Sequence, residues 1–79
     1  MNHLFSPKSP RIFPEPIQGI TDRSITYDQT GRVKFQGTYW SARLYQPSQQ
    51  MIISPGEYVS IIAIQGITLL VAPTGLEQI

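Results

Sequence analysis

The chain has 79 residues, no cysteine, one histidine and a formal net charge of +1. That length suits one small domain whose core only just offsets the entropy of ordering the chain, and the missing thiols exclude disulfides and zinc-thiolate sites as reinforcement. Charge this sparse and balanced argues against a protein whose main task is to neutralise many phosphates.

Seven prolines and six glycines among many β-branched residues suit short strands joined by tight turns. No stretch approaches the roughly 18 uninterrupted apolar residues of a membrane-spanning helix. The longest apolar region, Val59 to Val71, is interrupted by Ser60, Gln65, Gly66 and Thr68. Met1-Asn2-His3-Leu4-Phe5 runs straight into prolines without the apolar core of a secretory signal. The sequence therefore predicts a cytoplasmic chain with no direct membrane insertion.

Residues 1–17 read as a flexible, extended lead-in, because Pro7, Pro10, Pro14 and Pro16 each fix φ and remove a ladder donor. Its apolar members offer two uses: Phe13 or Ile17 strapped onto the body of the domain, or Leu4 and Phe5 docked on another chain. Residues 18–74 form the folded domain and 75–79 a short tail. From Ile20 to Tyr27, Arg23, Ile25 and Tyr27 alternate with Asp22, Ser24 and Thr26, a strand signal that ends in the turn Asp28-Gln29-Thr30-Gly31.

The run from Gly31 to Arg43 is the centre of the chain. Two alternating segments flank Gln36-Gly37, which supplies the positive φ angles of a two-residue hairpin. That turn pairs Phe35 with Thr38, Lys34 with Tyr39, Val33 with Trp40 and Arg32 with Ser41. Val33, Phe35, Trp40, Ala42 and Leu44 then face a core, with the Trp40 indole N–H seeking a carbonyl. Arg32, Lys34, Tyr39, Ser41, Arg43 and Tyr45 face solvent.

After the polar loop 46–50, the apolar Met51-Ile52-Ile53 returns across the end of the fold, too short for a helix before Pro55. Ser54-Pro55-Gly56-Glu57 reads as a type II turn. From Tyr58 to Gln65 the alternation changes phase, which a β-bulge near Ile61 and Ile62 resolves by returning Val59, Ile61, Ile62 and Ile64 to the interior. The alternative is a central strand covered on both faces. Gln65-Gly66 makes a second tight turn, after which Ile67, Leu69 and Val71 alternate with Thr68, Leu70 and Ala72, leaving Leu70 outward and apolar. Five strands, no helix and regular turns predict an all-β chain, a small five-stranded OB-fold-like barrel whose closure removes aggregation-prone edges.

Three blocks resemble the NfeD-like C-terminal domain family: Gly31-Arg32-Val33-Lys34-Phe35-Gln36-Gly37, then Tyr39-Trp40-Ser41-Ala42, then Ile53 to Ile61 leading into Gln65-Gly66-Ile67-Thr68-Leu69-Leu70-Val71. They span a little over half the chain and follow the family's order and spacing. The resemblance implies an OB barrel that acts as an interaction module, often beside membrane proteins of the stomatin and prohibitin type. Localisation would then be cytoplasmic, peripheral to a membrane through that partner.

Chemistry fails on inventory. His3 lies in the lead-in, where no Ser-His-Asp arrangement is preorganised around it. Lys34 points to solvent, away from any neighbour that would activate it as a nucleophile or base. The five carboxylates, Glu15, Asp22, Asp28, Glu57 and Glu77, are scattered without metal-ligand spacing, and the glycines are spaced as turn residues, not as a phosphate cradle. The expectation is a non-enzymatic module without cofactor or metal. Its candidate interaction surface comprises Arg32, Lys34, Tyr39, Arg43, Tyr45 and Leu70, and it serves a protein partner, itself or a membrane-associated one. The rival is single-stranded nucleic acid on Arg32, Lys34, Tyr39 and Arg43, since OB barrels combine cations with aromatic platforms on this face. A small-ligand carrier ranks below both, because a barrel of this size is filled by its own side chains.

Overall fold

A computed structural model describes residues 9–74. Expectations for His3, Leu4, Phe5, Lys8 and the tail 75–79 lie outside those residues. Seven strands follow in chain order: β1 (Arg11–Arg23), β2 (Ile25–Thr26), β3 (Gly31–Phe35), β4 (Thr38–Leu44), β5 (Ile52–Ile53), β6 (Tyr58–Gln65) and β7 (Thr68–Pro73). Five of them close a barrel in the order β1-β3-β4-β7-β6, while β2 and β5 pair as a separate two-stranded sheet. All ladders are antiparallel except β4 with β7.

The β3–β4 hairpin has the register that the alternation predicts: Phe35 opposite Thr38, Lys34 opposite Tyr39, Val33 opposite Trp40 and Arg32 opposite Ser41. Gln36 and Gly37 have φ of 53° and 77°, the two left-handed residues of a turn whose twist matches that of the strands. Val33, Ala42 and Leu44 are buried in the core, and Phe35 and Trp40 pack against it partly exposed. The indole N–H of Trp40 is buried but meets no acceptor among the described residues, so the expected carbonyl partner is not there.

Ser54 to Glu57 forms the turn expected of it, with Gly56 at φ 92° and the Glu57 amide donating to the Ser54 carbonyl at 3.1 Å. The same turn is fastened to β1, because Thr21 donates to the Glu57 carbonyl and Gly56 donates to the Thr21 carbonyl, both at 2.8 Å. Ile52 and Ile53 pair with Thr26 and Ile25 in the separate two-stranded sheet, where Ile53 and Ile25 are both fully buried.

Three sequence expectations are corrected here. The lead-in stops short of residue 17, because β1 begins at Arg11 and pairs with β6, Ile12 opposite Ala63 and Ile17 opposite Ile61. The ladder tolerates Pro14 and Pro16 because both fall in the irregularity between Ile12 and Ile17, where missing donors cost little. Phe13 and Ile17 accordingly pack on the core. The bulge in β6 lies between Ile61 and Ala63. It returns Val59, Ile61 and Ile64 to the core side but leaves Ile62 as the extra residue, outside the core cluster. The second tight turn is centred one residue later than expected: Gln65 pairs with Thr68, so Gly66 (φ 65°) and Ile67 are its central residues, and Ile67 is 80% exposed.

Candidate interaction surface

The pleat of β3 and β4 sends Arg32, Lys34 and Tyr39 to the same outer face, with Lys34 directly across from Tyr39 and Arg32 on its diagonal. The Arg32 guanidinium carbon lies 4.8 Å from the Tyr39 ring centroid and the Lys34 ammonium 5.6 Å from it. Both are within cation–π range, worth about 0.5–1 kcal/mol each at an exposed site. Arg32 is also held by Asp22, its Nε donating to Oδ2 at 2.7 Å and its Nη2 donating to the same oxygen. With both side chains more than a third exposed, this ion pair contributes about 0–1 kcal/mol and chiefly fixes the guanidinium over the ring. Asp22 reaches Arg32 because β1 carries a register irregularity between Thr21 and Arg23. That contact is not legible in the sequence, where Asp22 reads only as a polar strand residue among scattered carboxylates.

The remaining candidates do not join this group. Arg43 on β4 donates to the side-chain oxygen of Gln65 on β6. Since β7 lies between those strands, this hydrogen bond spans the outer face of β7. Leu70 stands beside Arg43 in that ladder and opposite Ala63. It is only 5% exposed, which corrects the expectation of an exposed leucine at a contact surface. It does face away from the core cluster, but β7 is flanked on both sides and crossed by Arg43, so the position is withdrawn from water. Tyr45 is at the far end of β4, its amide donating to the Val71 carbonyl at 2.8 Å. There it lines a shallow groove with Gln46, Met51 and Pro73.

Ile20 is an exposed apolar residue of this face that sequence reasoning missed, and the exposed Tyr58 lies opposite it. Gly19 and Thr21 face the interior, so Ile20 between them must face out, and it is 40% exposed while Thr21 is 2% exposed. A buried threonine beside an exposed isoleucine inverts the usual hydropathy signal. The available clue was Gly19, which fits where any Cβ would stand 2.7 Å from Cγ1 of Val33.

Residues 18–73 match the family of NfeD-like C-terminal, partner-binding domains. The chain belongs to that family. Two solved structures agree with the assignment. One is the soluble domain of a membrane protein implicated in regulation of membrane protease activity from Corynebacterium glutamicum, 30% identical with a TM-score of 0.65, the match covering 75% of this chain and 89% of that one. The other is the C-terminal domain of stomatin operon partner protein 1510-C from Pyrococcus horikoshii, 25% identical with a TM-score of 0.61, covering 75% and 84%. No curated protein matches the chain. The NfeD-like match begins at Gln18, so the first half of β1 lies outside it although it is built into the barrel wall.

Proposed function

We propose that this NfeD-like domain is a non-enzymatic protein–protein interaction module whose partner is a membrane-associated protein of the stomatin or prohibitin type, which would hold it peripheral to a membrane. The match to a partner-binding family across 18–73 carries the reading, and the similarity to a domain of a stomatin operon partner protein supports the class of partner. The barrel interior is occupied by Val33, Ala42, Val59, Ile61, Leu69 and Val71, so binding belongs on the outside. Catalysis finds little support: Lys34 stands on an open face against a tyrosine ring, where nothing activates it as a nucleophile or base.

The nucleic-acid reading is weaker for a specific reason. A base that stacks on Tyr39 must displace Arg32 and Lys34 from its ring, and Arg32 is already neutralised by Asp22. The test is a titration of the purified domain against a purified stomatin-type protein from the same organism. Saturable binding in the micromolar range or tighter is expected. No binding at low salt, together with salt-sensitive binding of single-stranded oligonucleotides, would overturn the proposal.

A further inference from the structure

Outward positions on four neighbouring strands line up into one row. Tyr58 on β6 is opposite Ile20 on β1, Ile20 is opposite Lys34 on β3, and Lys34 is opposite Tyr39 on β4. Directly paired residues share a face, and three inter-strand spacings make the row about 14 Å wide. Its apolar members are open to solvent: Ile20 is 40%, Tyr58 52% and Tyr39 52% exposed. Between Tyr58 and the β3–β4 turn the surface is concave, a groove along Gln18, Ile20, Lys34 and Gln36. An isoleucine at the centre of such a row, between two tyrosines, has the composition of an interface core surrounded by a polar rim.

Charge selects the partner's chemistry. Arg23 and Arg32 are opposite each other on β1 and β3, next to Lys34. Of these three cations only Arg32 meets a carboxylate among the described residues. Among the described residues the face therefore presents two positive groups without a carboxylate partner, Arg23 and Lys34, beside a groove whose lining mixes Ile20 and Tyr58 with polar side chains. Resting on the interaction reading above, we infer that this row holds an extended acidic segment of the partner protein. An apolar side chain of that segment seats on Ile20 between Tyr58 and the methylenes of Lys34, while its flanking carboxylates meet the Lys34 ammonium and the Arg23 guanidinium.

The probe is a library of short random peptides selected on the purified full chain, with poly-dT oligonucleotide measured in parallel. Selected peptides should be acidic around one large apolar residue. Their affinity should fall about tenfold or more for Lys34→Glu and for Ile20→Ser, recover in Lys34→Arg, and stay unchanged in Ile67→Ser at the remote turn. All three positions face solvent, and an unaltered unfolding midpoint verifies that each variant folds. The inference is overturned if no peptide is enriched, if enriched peptides are not acidic, if they bind the Lys34→Glu and Ile20→Ser variants as well as the parent, or if poly-dT alone binds this row. Should the stomatin-type protein still bind the Ile20→Ser, Lys34→Glu double variant with parental affinity, this surface is wrong while the proposed function stands. Failure of the parent chain to bind that protein removes the function itself.

Discussion

Two residues show how tightly single positions are specified. At Gly31 an added Cβ would stand 2.3 Å from the carbonyl oxygens of both Arg23 and Ser24, which are backbone atoms that cannot step aside. Gly31→Ala should destabilise the domain by about 2–3 kcal/mol, read as a lowered urea midpoint at unchanged slope. Thr21 is the opposite case. Its hydroxyl is buried without a hydrogen-bond partner among the described residues, while its backbone is fully engaged by the Ser54 to Glu57 turn. Thr21→Val keeps the shape and removes an unsatisfied polar atom, so thermal unfolding should shift upward by the equivalent of about 1 kcal/mol. A Thr21→Val variant less stable than its parent would mean that the hydroxyl has a partner in solution.

At the scale of elements, the β3–β4 hairpin was fully legible because three local signals agree: alternation, a glycine in the turn and β-branched or aromatic residues opposite one another. β7 was legible in parity but not in exposure. Local pattern places Leu70 outward, and only the ladder shows that Arg43 crosses over it to Gln65. β1 was misread at its start, since proline is a strong breaker signal and the sequence gives no sign that Pro14 and Pro16 coincide with an irregular register. The consequence is measurable. Truncation before Gln18, where the family match begins, removes Phe13 and Ile17 from the core and unpairs the β1-facing edge of β6 from Ile61 to Ile64. The shortened domain should lose about 2 kcal/mol or more and become prone to association through the exposed β6 edge. Equal stability of the two forms in denaturant titration would show that the first half of β1 contributes nothing.

Among the described residues, closing five strands fills the interior and leaves the outer wall to vary contacts. The sequence disclosed half of the resulting surface. Arg32, Lys34 and Tyr39 follow from one hairpin, but their union with Ile20 and Tyr58 depends on which strands become neighbours at closure. Arg43, Tyr45 and Leu70 share the predicted parity but stand apart from this group, Arg43 and Tyr45 farther along the chain from Tyr39, and Leu70 on β7.

Three of the exposed isoleucines mark separate regions of the molecule: Ile20 on the β1–β3–β6 face, Ile52 on β5 outside the barrel and Ile67 in the β6–β7 turn. Methyl spectra of isoleucine-labelled domain, recorded while a stomatin-type protein is added, read all three at once. The account predicts that the Ile20 methyl signals shift or broaden in proportion to complex formed while those of Ile52 and Ile67 stay in place. An unmoved Ile20 with a displaced Ile52 or Ile67 would contradict it.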